Sequence, residues 1–172
     1  MRNIRTLKPL FDDNQLITVF DPENDQIKLF YEYYMEDFVE NPVLVRGKNV
    51  TVFSQNSKIM IFKDFQESFV HLITREVKSI NQRFYEGIRA NRIHWIKPIL
   101  EAYPNKKILY YKWEDERRVL KDHFWLFDKD FMVVLKEYIQ NFLIITAFCV
   151  DKDMKLTFFE RYTEYNLMNG NV

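Results

Sequence analysis

Apolar and polar positions follow two different rhythms along the chain. After Pro104 the apolar residues fall into four dense runs, at 107–114, 119–127, 131–139 and 141–150, rich in aromatic and β-branched side chains. Asp128-Lys129-Asp130 and Gln140-Asn141 form the tight links between the later runs. Such runs with short connections predict a meander of four antiparallel strands. Before Pro104 the spacing is helical. Over 65–80, Phe69, Leu72, Ile73, Val77 and Ile80 gather on one side of a 3.6-residue repeat, and His71, Arg75 and Lys78 gather on the other. Asp64 stands where an N-cap belongs, with Glu67 at capping-box spacing. A second helix is predicted over about 81–102, with Gly87 as its weak point. Nearer the start, 16–20 reads as a short strand closed by the turn signal DPEND, and 26–38 as a helix. Residues 42–53 read as a hairpin around Arg46-Gly47-Lys48-Asn49, and 58–62 as a further strand. The tail, 156–166, fits either a last strand or a short helix.

Together these elements predict an α+β fold: N-terminal helices packed on a four-stranded antiparallel sheet. Residues 65–172 would form that domain and residues 1–64 a strand-helix extension. A chain of 172 residues is long enough for a genuine core. Its one cysteine, Cys149, makes no internal disulfide, so nothing suggests a secreted, cross-linked scaffold. No apolar stretch reaches transmembrane length, and the first residues lack the apolar centre of a signal peptide. A cytoplasmic protein with no membrane partner is expected. Formal net charge is zero, yet residues 71–137 hold 14 Lys and Arg against 10 Asp and Glu, whereas residues 1–70 hold 8 against 11. A mildly basic middle permits a local anion site without demanding one.

The candidate chemistry lies in that basic stretch. The His71–Arg75–Lys78 stripe is either a solvated helix face, the ordinary case, or one wall of a cleft. In the segment RANRIHWIKPIL, Arg89, Arg92 and Ile96 share a side, and Lys97 lies some eighty degrees from Arg89. Trp95 is either a core or rim aromatic or a platform for a base. His94 reads as a surface or capping residue, and His123 as structural. Thr146 is the lone hydroxyl in an apolar strand, where a β-branched residue is at home in any case. The sequence has no zinc-ligand spacing, no phosphate-cradling glycine loop and no G-x-S-x-G elbow. What remains is a site of His, Arg, Lys and Thr with no metal and no cofactor. That set suits phosphodiester transfer in RNA, where a base removes the 2′-hydroxyl proton and cations hold the charge growing on the phosphorus oxygens.

In order, SFVHLITRE, RANRIHWIKPIL and the aromatic strands ending FLIITAFCV resemble the barnase/EndoU/colicin/RelE-like nuclease superfamily, in its phage- and mobile-element-associated branches. The resemblance covers about residues 65–150. It implies a metal-independent ribonuclease, a toxin or effector, with RNA as partner and a cognate antitoxin or immunity protein covering the cleft. It places the catalytic set at His71, Arg89, Lys97 and Thr146, and a further basic position at Arg75; Arg75, Arg92 and Trp95 are the residues expected toward the substrate. A second catalytic histidine has no counterpart. The rival expectation is a non-catalytic protein-binding module, which the aromatic surfeit and zero net charge also fit. A metal-dependent nuclease using the acidic loops is a third.

Overall fold

The computed structural model describes residues 2–170. Helix α1 (Asp25–Tyr34) runs into a π-helical stretch, Met35–Glu40. Strands β1 (Leu44–Val45) and β2 (Lys48–Thr51) follow, then helix α2 (Glu67–Ile73). A small hairpin comes next, β3 (Thr74–Val77) and β4 (Gln82–Tyr85), followed by two short helices, α3 (Gly87–Ala90) and α4 (Ile96–Ala102). The meander is β5 (Ile108–Glu114), β6 (Leu120–Leu126), β7 (Phe131–Glu137) and β8 (Asn141–Cys149), and helix α5 (Lys155–Met168) closes the described chain.

The four-strand meander forms within a residue or two of its expected limits at most ends, but it is not the whole sheet. The order is β1-β2-β8-β7-β6-β5, a six-stranded mixed sheet curled into a half-barrel, with β3-β4 as a separate two-stranded sheet. This overturns the four-stranded antiparallel plan and with it the barnase/EndoU/colicin/RelE-like fold. The physical reason is the early hairpin. Arg46 and Gly47 both have positive φ, 49° and 76°, which makes the tight turn expected there. Its second strand then joins β8 in parallel, with Asn49, Val50 and Thr51 against Asn141, Phe142 and Leu143. Thr51 Oγ1 donates to the Phe142 carbonyl at 2.8 Å, and Asn141 Nδ2 donates to Thr51 Oγ1 at 2.7 Å. Periodicity predicts a hairpin but not the sheet it joins.

The two predicted helices are also corrected. The first starts after Gln66, not after Asp64, and stops at Ile73. Thr74 Oγ1 turns back to the Val70 carbonyl at 2.6 Å, and the chain leaves as a strand. Asn81, at φ 50°, forms the reverse turn that brings Gln82–Tyr85 back against Val77–Thr74. The second is broken into β4, α3, a 3-10 turn and α4. Gly87 is required at the break: a Cβ there would lie 2.8 Å from the Ile17 carbonyl oxygen. Residues 16–20 form no strand, 58–62 hold a 3-10 turn instead of a strand, and the tail is a helix.

Each face of the large sheet buries its own core. Phe131, Val133 and Leu135 of β7 point to one face, and Met132 and Val134 to the other, so all five are buried. That is why 131–135 reads as an unbroken apolar run. The first face meets α1, α2 and α4 across Phe30, Phe69, Ile99, Phe124 and Phe142. The N-terminal segment belongs to the same core through Ile4 and Leu7. The second face, with Tyr111 and Trp125, is covered by Phe158, Tyr162 and Tyr165 of α5. These three recur at i, i+4 and i+7, the inner stripe of an amphipathic helix.

Candidate functional site

Helix α5 is too narrow to cover the second face. Beside it the β3-β4 hairpin hangs over the sheet, and between them lies a cleft of about 780 Å³. Its floor is Ile145, Thr146 and Phe148 of β8, with Trp113 of β5 at the side. A β-bulge sets this floor. Val134 pairs with Thr146 but Leu135 pairs with Ile144, leaving Ile145 as the extra residue. Adjacent residues of a regular strand point to opposite faces; the bulge lets Ile145 and Thr146 both face the cleft.

The walls are charged. Arg75, Lys78 and Arg83 come from the hairpin, Arg89 from α3, Arg117 and Lys121 from the β5-β6 region, and Arg161 from α5. Glu76, Glu114, Asp115 and Glu116 oppose them, so cations exceed carboxylates on the lining. Several cations are already engaged. Arg75 meets Glu86 at 3.2 Å and Asp151 at 3.3 Å, Lys78 meets Glu116 at 2.7 Å, and Lys121 meets Asp115 at 2.6 Å. Arg83 Nε donates to Thr74 Oγ1 at 2.8 Å. Among the described residues Arg117 and Arg161 make no ion pair. The Arg161 guanidinium lies instead over the Trp113 ring, at 5.2 Å, and over Phe158, at 5.4 Å.

His71 reaches the cleft from the last turn of α2. Its Nε2 lies 3.0 Å from Glu67 Oε1, one helical turn back. Burial and the Arg83 guanidinium hold the imidazole below its ordinary pKa, while Glu67 pulls the other way. The ring is therefore neutral at neutral pH. Since only a protonated nitrogen can donate to the carboxylate, Nε2 carries the hydrogen and Nδ1 keeps a lone pair.

The structure brings His71, Arg75, Arg89 and Thr146 into one cleft. Arg89 is buried, donates from Nη1 to the Thr74 carbonyl at 2.5 Å, and places Nη1 3.5 Å from Thr146 Oγ1. Its Nε sits 2.9 Å from Glu86 Oε2. The other three expected residues lie elsewhere. Lys97 donates to the Asn41 carbonyl at 3.0 Å. Arg92 donates to the Ile88 carbonyl at 2.7 Å and stacks over Trp95. Trp95 is only 4% exposed, packs edge-on against Phe131 in the first core, and donates from Nε1 to the Lys8 carbonyl. The same carbonyl lies 3.0 Å from His94 Nε2, and burial presses His94 down to about 4. His123 lies flat on Tyr111 and is likewise lowered by burial to about 4.

Sequence reasoning missed Arg83, Trp113, Lys121, Arg161 and the orienting role of Glu67. The signal for two of them was present: in KWEDERRVLK, Trp113 and Lys121 flank a tight acidic turn and so stand opposite one another across two strands.

Among the described residues, no group of three or more His, Cys, Asp or Glu side chains is placed to hold a metal ion. No described helix is long and apolar enough to cross a membrane. Comparison with protein-family models, curated proteins and solved structures gives no match for the chain.

Proposed function

We propose that this chain is a metal-independent ribonuclease of the cytoplasm that cleaves RNA in the cleft between α5 and the β3-β4 hairpin. One observation carries the reading: a neutral imidazole, oriented by Glu67, shares that cleft with a surplus of arginine and lysine and with the Thr146 hydroxyl. His71 Nδ1 takes the proton of the 2′-hydroxyl, and the 2′-oxygen attacks the neighbouring phosphorus. Arg83, Arg117 and Lys121 neutralise the charge developing on the phosphorus oxygens, as fixed cations in a partly desolvated cleft do best. Arg89 is spent on holding the hairpin root to the Thr146 strand and serves as a positioning residue. The cleft holds no second imidazole among the described residues, so the leaving 5′-oxygen draws its proton from water. The products are a 2′,3′-cyclic phosphate and a 5′-hydroxyl.

The test incubates purified protein with unstructured RNA in excess chelator. Wild type is expected to cut, and His71→Ala to leave the strand intact. RNA untouched by wild type, or cut equally by both proteins, overturns the proposal.

A second reading is a non-catalytic module that binds a protein, of the immunity or antitoxin type or a phage accessory factor. The outer side of α5 favours it: Leu156, Phe159, Leu167 and Met168 are exposed there beside Glu160 and Glu164. Intact RNA from wild type and mutant alike puts this reading ahead.

A further inference from the structure

The RNA reading leaves open what the strand's bases would touch. Of the three tryptophans, Trp95 and Trp125 are buried in the two cores, and Trp113 alone lines the cleft. It follows Leu109 and Tyr111 on the same side of β5, so the strand's alternation aims it at the second face. Its directly opposed partner on β6 is Lys121. Side chains so paired share one face of the sheet and lie within reach of each other. Ile145 and Phe148 extend the apolar surface along the floor. The cation over the ring, Arg161, has no carboxylate partner among the described residues to hold it there.

Resting on the ribonuclease proposal, we infer that Trp113 is a base-stacking platform, so that the cleft takes single-stranded RNA and not a duplex. An unpaired base slides onto the indole beneath or in place of the Arg161 guanidinium. Its phosphate then meets Lys121 and Arg117 at the same wall. Bases in a duplex are already stacked on each other and cannot reach a side chain at the cleft wall without being extruded. The stack reads a π-face, so it accepts any base and gives little sequence preference.

The experiment uses the full chain carrying His71→Ala, which keeps the strand intact. It is titrated with an unstructured adenine-rich oligoribonucleotide, with the same strand in a duplex, and with linear polyphosphate, while indole emission is followed. The single strand is expected to quench emission, and polyphosphate to bind without quenching. Adding Trp113→Ala weakens single-strand binding by about 5- to 150-fold and leaves polyphosphate binding unchanged. Trp113→Phe keeps a ring, so it binds within about threefold and loses the quench, which guards against misfolding of the alanine variant. Equal single-strand affinity with and without the indole, or tighter binding of the duplex than of the single strand, overturns the stacking role while leaving the phosphate cleft standing. If no polyanion binds at all, the ribonuclease reading fails together with it.

Discussion

On the face of the sheet that meets α1, α2 and α4, Phe124, Phe131, Val133, Leu135 and Phe142 are shut away from water. On the other face one helix of 14 residues covers Tyr111, Trp125 and Met132, and the sheet beyond it is roofed only by a hairpin of two four-residue strands. Both faces carry ion clusters, and these differ in the same way. The closed face holds Asp122, 1% exposed, which accepts from Tyr110 Oη at 2.7 Å and from Arg46 at 2.9 Å, with Lys112 3.6 Å away. Glu137 completes it by pairing with Lys48 and Lys112, both at 2.7 Å, and is held down to about 2 by them. There every cation sits on a carboxylate, whereas in the cleft Arg117 and Arg161 have none among the described residues. The cleft keeps a cationic surplus and a histidine in contact with water. A buried carboxylate with every partner in place is a structural device; an unmatched, open cluster is where a charged ligand gains the most.

Breaking that contrast gives graded outcomes. His71→Ala is expected to lower RNA cleavage by about 10²- to 10⁴-fold in a single-turnover assay while changing stability by less than about 1 kcal/mol. On the closed face the reverse holds. Phe124→Ala is expected to cost about 3–5 kcal/mol in urea unfolding, because it removes a fully buried ring between two layers, whereas Arg117→Ala in the cleft stays within about 0.5 kcal/mol. Asp122→Ala removes the buried acceptor of the Tyr110 hydroxyl and of Arg46, while Glu137 still pairs with Lys112, and is expected to cost about 1–3 kcal/mol in the same measurement.

The histidines sharpen the comparison through pH. His71 acts as a base only when unprotonated, and its pKa is lowered, so the acid limb of the rate profile should fall below the ordinary imidazole value of about 6.5. His94 and His123 stay neutral in the fold down to about 4. Unfolded, they protonate near 6.5, so the unfolded chain binds more protons between these values. Their contribution is full above about pH 6.5 and is lost as pH falls toward 4, which a series of thermal unfolding midpoints over that range reads directly. An unchanged midpoint from pH 7 to 4.5 would contradict the buried placement of these two rings.

The smallest expected effect concerns the hairpin. Lys78 and Glu116 tie its tip to the β5-β6 turn although their side chains are 69% and 81% exposed. A strand entering the cleft competes with Glu116 for Lys78. Glu116→Gln is therefore expected to raise RNA affinity by about two- to fivefold at low salt, with the gain vanishing at high ionic strength. A gain that is insensitive to salt would mean the glutamate acts in some other way.

The meander was legible because alternation and aromatic density act locally, and the four strands follow the residues that encode them. The hairpin at Arg46-Gly47 was legible for the same reason. The parallel pairing of β2 with β8 was not, since it joins residues some ninety positions apart and leaves no local trace. Helical spacing over 65–80 misled because Val77 and Ile80 fit a 3.6-residue repeat yet are exposed on a hairpin whose other side meets the protein. His71, Arg75, Arg89 and Thr146 line one cleft, although Arg75 arrives on a strand, and Thr146 through a bulge that no sequence pattern announced. Lys97, Arg92 and Trp95 were grouped with them on the premise of one continuous helix. Once β4, α3 and α4 replace that helix, Trp95 turns into the first core, Arg92 lies over its ring and Lys97 reaches the Asn41 carbonyl.

The most direct measurement offers the protein, in chelator, a single-stranded DNA oligonucleotide containing one ribonucleotide. An enzyme that uses the substrate's own 2′-hydroxyl, with His71 as base, cuts only on the 3′ side of that ribonucleotide and leaves a cyclic phosphate on the 5′ fragment. Cleavage at deoxyribonucleotide positions, cleavage only when a divalent metal is restored, or an uncut strand under conditions where it binds, contradicts the account.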